Sequence, residues 1–212
     1  MSSKEQEPQH KKILLLTSGI IGLLSCLVVI IADIAGTIVN DGYNPISETI
    51  SDLAAGGQSY IMDYGLYVFA IGVAACALGL FTWNLGERRW KLSAALLIPL
   101  AITIFVIGAR NEYGDGDPGG VEIHVYLVYV FGILFAIITT LLGYEFERIS
   151  PFWKVFSLGI ALAWIVLAPL FFFAPDNWDG AFERFVGLVM IAWVVAISWL
   201  LVRRGLGDER LP

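Results

Sequence analysis

Charge is scarce in this chain. Asp, Glu, Lys and Arg make up 15% of its 212 residues, 58% are hydrophobic, and the mean hydropathy is +0.76. Soluble domains carry about 25% charged residues, so this composition excludes a soluble globular fold, and it excludes disordered and collagenous chains as well. There are two histidines. His10 sits in the amino-terminal tail and His124 at the mouth of an apolar stretch, so a haem held between two membrane-embedded histidines is excluded. The two cysteines cannot build a disulfide scaffold. At about 1.5 Å per residue, Cys26 and Cys76 are expected roughly 10 Å apart in depth, beyond the ~7 Å limit for bridging Cα atoms. No lysine lies in the middle of an apolar stretch, which excludes a retinal Schiff base. The net charge of −6 and the lack of a basic cluster exclude nucleic acid as a partner.

Six apolar stretches are present, at about 13–34, 62–83, 91–109, 124–143, 152–173 and 183–202. About 20 apolar residues cross the ~30 Å hydrocarbon core of a bilayer as a helix. None shows the period-2 alternation of a barrel strand. The expected fold is all-α: a polytopic six-helix membrane bundle over 13–204, with short tails at 1–12 and 205–212. The first run is longer than a signal-peptide core and no A-x-A site follows it, so it reads as a retained helix.

Basic residues set the expected orientation. Lys4, Lys11, Lys12, Arg88, Arg89, Lys91, Arg148, Lys154, Arg203, Arg204 and Arg210 fall on one side, 11 of the 13 in the chain. Arg110 and Arg184 fall on the other. By the positive-inside rule both termini are cytoplasmic, in a multi-pass protein of the cell membrane. Trp83, Trp90, Trp153 and Trp199 are expected at the inner boundary, and Tyr60, Tyr64, Tyr113, Tyr126 and Trp178 at the outer one. Trp164 and Trp193 fall mid-span, as packing residues. No ionisable residue lies in the middle of a span, where carriers place their ion-binding groups. Pro99 and Pro169 are expected to kink spans three and five.

Polar residues gather on the outer side. The first outer loop, 35–61, is long for a bundle connection, and such loops usually carry structure or function. Asn44-Pro45 looks like a helix start, predicting a short amphipathic helix over 45–53. On such a helix Ser47, Glu48, Ser51 and Asp52 share one arc, opposite Ile46, Ile50 and Leu53. It would either face water or turn its carboxylates over the bundle mouth. The second outer loop contains Asp115-Gly116-Asp117 but lacks the later bidentate Glu of a calcium loop. At the mouth of span six, Arg184 is expected either to pair with Glu48, Asp52 or Asp63, or to bind an anionic headgroup.

The six-span plan, Pro45…Ser47…Ser51-Asp52-Leu53, Gly120…His124 and Gly180…Glu183-Arg184 together resemble a bacterial and archaeal membrane family, domain of unknown function 998. The resemblance covers about 13–204 and implies six helices without an established activity. It directs attention to Ser47, Ser51, Asp52, His124, Glu183 and Arg184.

Three functional classes remain open. In the first, the polar cluster is a structural or ligand-binding lid, and the bundle binds membrane lipid, a partner membrane protein or a second copy of itself. Small residues such as those from Gly72 to Gly79 would permit close packing. The second is a hydrolase acting on a lipid headgroup. Either Ser47 or Ser51 is the nucleophile with His124 as base and Asp52 as orienter, or His124 with Glu48, Asp52 or Asp63 holds a divalent metal. Arg110, Glu183 or Arg184 would bind the ligand. Neither G-x-S-x-G nor H-E-x-x-H occurs. The third is transport of a small solute.

Overall fold

A computed structural model describes residues 8–110 and 123–208. Six long helices cross the molecule: α1 (Gln9–Val39), α3 (Tyr60–Trp83), α4 (Arg88–Ala109), α5 (Ile123–Glu145), α6 (Pro151–Phe171) and α7 (Asp179–Gly205). All six are long and apolar enough to span a membrane. A six-residue helix, α2 (Ile50–Ala55), lies in the connection between α1 and α3. Among the described residues every regular element is helical. The Asp115-Gly116-Asp117 segment and Tyr113 lie outside the described residues.

Helices α1, α3 and α7 form a mutually packed core, and α4, α5 and α6 close the ring from α3 back to α7. The core starts from a sequence period. Buried positions of α1 include Leu15, Ser18, Gly22, Ser25, Val29, Ala32 and Gly36, and those of α3 include Met62, Gly65, Phe69, Gly72, Cys76, Gly79 and Trp83. Both series step by three and four. A seven-residue repeat keeps one seam facing its partner along a gently supercoiled pair. Many of the residues on that seam are small, so the backbones approach closely. A Cβ on Gly72 would lie 1.7 Å from Ser25 Oγ. Cys26 and Cys76 are buried within this core as free thiols, and Cys76 Sγ lies 3.3 Å from Ser198 Oγ on α7.

At the end opposite α2, Asn84 adopts a left-handed conformation that terminates α3. Trp90 then folds back, donating from Nε1 to the Leu80 carbonyl at 2.8 Å. It packs edge-on against Trp83 and Phe146. Of the four tryptophans expected at this boundary, Trp83, Trp90 and Trp153 lie at helix ends there and are buried in the core, and Trp199 is exposed. The aromatic contacts at this end are therefore mostly packing contacts. At the α2 end Tyr60, Tyr64, Tyr126 and Trp178 are exposed, and mid-span Trp164 and Trp193 are buried.

The short helix differs from its expected extent. It starts at Ile50 rather than Pro45, because Thr49 caps it. Thr49 Oγ1 accepts from the Asp52 amide, and Asp52 Oδ2 accepts from the Thr49 amide at 2.8 Å, a reciprocal capping box. Asn44 caps a separate turn instead, with its Oδ1 accepting from the Ile46 amide at 3.1 Å. Ser47 and Glu48 thus sit on that turn, and only Ser51 and Asp52 share α2.

Candidate functional site

Much of the hold on residues 40–49 against α7 comes from one side chain. Arg184 Nε and Nη2 grip Asp33 of α1 at 3.1 and 2.9 Å. Nη1 donates toward the carbonyls of Pro45, Glu48 and Gly180 at 2.9 to 3.1 Å. Nη2 also donates to the Tyr43 hydroxyl at 2.6 Å. A guanidinium has five N–H donors in a planar fork, and all five are used inside the fold. The expected ion pair is present, with Asp33 in place of Glu48, Asp52 or Asp63. Arg184 therefore has no donor left for an external headgroup.

Tyr43 completes this clamp. Its hydroxyl lies 2.6 Å from the Thr49 carbonyl and 2.9 Å from that of Glu48. Burial pushes the phenol up to about 12, against the opposing pull of Arg184, so it keeps its proton and remains a donor. Gly180 lets the loop seat on α7, since a Cβ there would meet the Glu48 carbonyl oxygen at 2.1 Å. The Ala181 amide donates to Ile46 O at 2.9 Å.

With the loop fixed, α2 presents Ser51 to α5. Ser51 Oγ lies 3.1 Å from His124 Nε2. The other ring nitrogen, Nδ1, lies 3.1 Å from the Arg110 carbonyl oxygen. A carbonyl only accepts, so Nδ1 carries the proton and Nε2 of the neutral ring offers a lone pair to the serine O–H. His124 is 6% exposed, and the ring is fixed on both sides. Glu183 of α7 accepts from the Ile50 amide, tying the first residue of α2 to the same corner.

Ser51, His124 and Glu183 form the polar end of a cavity of about 690 Å³. Its walls are apolar, including Met62, Phe69, Ile104, Phe131, Trp164 and Met190. Ligand pockets typically measure about 300–1,000 Å³, with a few convergent polar groups. From His124 to Ala136 at the floor, α5 descends about 18 Å at 1.5 Å per residue, close to half of a ~30 Å hydrocarbon core. The lining stops near the middle of α3, α5 and α7. On α5 and α6 the rim joins the exposed apolar surface, where Ile133 is 61% and Ile165 52% exposed.

The other candidates are placed elsewhere. Asp52 is engaged with Thr49 rather than set behind His124, so the Arg110 carbonyl occupies the orienting position expected for Asp52. Glu48 accepts from the Asn44 amide. Arg110 contributes its backbone, and its side chain is not in the cavity wall. Asp63 lies in the first turn of α3, and Ser47 on the 45–48 turn. Among the described residues no three His, Cys, Asp or Glu side chains converge as a metal site would require, so His124 with Glu48, Asp52 or Asp63 does not assemble one.

Three contributors escaped the sequence reading. Asp33 stands in an otherwise apolar helix near its end, a signal for a buried partner. Thr49-Ile50-Ser51-Asp52 is a capping box written in the sequence. Tyr43 gave no signal. Neither a curated protein nor a solved structure matches the chain. A family model does match, over residues 20–200, and the chain accordingly belongs to the membrane family described as Protein of unknown function (DUF998).

Proposed function

We propose that the protein binds a membrane lipid, drawing one acyl chain into the apolar cavity and holding its polar junction beside Ser51, His124 and Glu183. The observation that carries this reading is the cavity itself. It is apolar along its length, polar at one end, as deep as one leaflet, and continuous at α5 and α6 with the surface that faces lipid. A small solute crossing the bilayer would need a path beyond the middle of the helices, and the cavity lining ends there.

Gly187 provides the test. It lines the cavity, and a Cβ there would meet nothing within 4 Å. Gly187→Trp is therefore expected to project into the cavity, and its Cβ meets no neighbour. Native mass spectrometry of protein extracted in mild detergent is expected to find wild type with a retained lipid and Gly187→Trp without it. Equal retention by both proteins would end the reading.

The same proposal places the α2 end away from the cytoplasm, with both termini inside. Among the described residues, nine of the eleven basic residues gather at the opposite end. In a Cys26→Ser, Cys76→Ser background, a cysteine at Gly57, which is exposed, is expected to react with a membrane-impermeant maleimide on intact cells. Reaction only after lysis would reverse the orientation.

A further inference from the structure

We propose that Ser51 and His124 are the nucleophile and general base of an acyl-ester hydrolase, whose substrate is a long-chain fatty acid ester seated in the cavity. This rests on the lipid-binding reading for its substrate. The pair itself stands on its own geometry.

Three of the buried serines of the bundle are spent on backbone carbonyls of the helices. Ser25 donates to the Gly22 carbonyl, Ser93 to Arg89 and Ser157 to Thr139. Ser51 differs in two respects. Among the described residues it is the one serine that donates to an imidazole, and it does so from the wall of a cavity. The histidine is held in the tautomer that base catalysis needs, because the Arg110 carbonyl fixes the proton on Nδ1. A backbone carbonyl thus stands where a serine hydrolase places a carboxylate. The serine is in turn anchored by the Thr49–Asp52 capping box, by Glu183 on the Ile50 amide, and by Leu53 packed against Gly36. These contacts hold nucleophile and base in register without help from a bound ligand.

The chemistry balances as follows. Ser51 Oγ attacks the ester carbonyl carbon while its proton passes to His124 Nε2. The bond from that carbon to the alcohol oxygen breaks, and the alcohol leaves with the proton from Nε2. The acyl chain is then esterified to Ser51. Water attacks this second ester, gives one proton to Nε2, and releases the fatty acid as Oγ recovers its proton. The sum is ester plus water to acid plus alcohol.

The polar end also constrains the alcohol. Arg184 is consumed by the fold, and among the described residues Glu183 is the one acidic or basic side chain in the cavity wall besides His124. A carboxylate at the mouth disfavours a phosphate next to the scissile bond. The described wall therefore favours an uncharged leaving alcohol, as in an acylglycerol.

Two fluorophosphonates test the pair on the full-length protein in detergent, one with a long alkyl chain and one with only isopropyl groups. Each phosphonylates an activated serine with loss of fluoride. The expected result is a single adduct on the peptide carrying Ser51, absent in Ser51→Ala. The rate should fall roughly 100-fold or more in His124→Gln. Melting temperatures of both variants identify any that fail to fold, and the wild-type adduct site stands without them. The long-chain probe should react about tenfold faster or more, the gain from burying several methylenes. Absence of a Ser51 adduct with either probe, in a preparation that retains lipid, overturns the hydrolase and leaves lipid binding intact. A Ser51 adduct formed equally fast by both probes, with no lipid retained, supports the pair and removes the lipid-binding reading. An acylglycerol and a lysophospholipid of equal chain length then test the alcohol, and faster turnover of the lysophospholipid would overturn the uncharged leaving group.

Discussion

Helices α3 and α6 have equal mean hydropathy, yet half of the most apolar stretch of α3 is buried inside the protein against 17% for α6. Hydropathy therefore says little about burial here. Within a bilayer the lipid is as apolar as a leucine, so helices associate through close packing and polar contacts instead. Helix α3 carries Gly65, Gly72 and Gly79 at seven-residue intervals, which match the small residues of α1. Helix α6 carries Phe152, Trp153, Phe156, Leu162 and Trp164 among its large residues, and most of its surface faces outward. One half of the bundle is thus a closely packed frame, and the other is a more exposed wall that borders the cavity. Ser51 is held to the frame through α2 and Arg184, while His124 belongs to the wall.

The largest effect is expected where the frame holds the loop. Arg184→Ala removes every guanidinium bond of the clamp and leaves Asp33 as a partly buried, uncompensated carboxylate. Breaking a buried pair in this way costs about 3–5 kcal/mol, and the low end applies because the two side chains are 16% and 23% exposed. Thermal unfolding in detergent should show a large drop for Arg184→Ala. The drop should be incompletely restored in Arg184→Lys, since an ammonium cannot reproduce the two-pronged grip. The double variant with Asp33→Ala should be less damaged than the sum of the single changes. Strict additivity would mean that the two residues do not act as a pair.

These two halves were unequally legible in the sequence. Six spans follow from run length and residue type, quantities that need no partner. The position of the polar crown follows from the same counting, which is why Ser51, His124 and Glu183 were candidates before the fold was known. Their grouping was not legible. Asp52 and Thr49 have the spacing of a capping box, but Asn44-Pro45 reads equally well as a helix start, and local sequence does not rank them. The partner of Arg184 depends on which face of α1 turns toward α7, so Glu48, Asp52 and Asp63 were the expected partners and packing chose Asp33 instead. The cavity lies between helices and belongs to none of them. Gly187 and Met190 have ordinary helical surroundings in sequence and become cavity wall only when α5 and α6 stand off from α7.

Two leucine substitutions sharpen the contrast between frame and wall. At Gly72 a Cβ would strike Ser25 Oγ, so Gly72→Leu forces α1 and α3 apart. Overpacking of this kind costs about 1–3 kcal/mol, which melting in detergent detects readily. At Gly187 the same change meets open space. Replacing an interior helical glycine recovers about 0.8–1 kcal/mol of helix propensity, so Gly187→Leu should leave the melting point unchanged or raise it slightly. The two glycines sit in apolar helices, and the substitution is chemically identical, so only the neighbouring space distinguishes them. A comparable loss at both positions would show that α7 closes on α5 and α6 in the membrane. The wall would then be as tightly packed as the frame, with no room for an acyl chain.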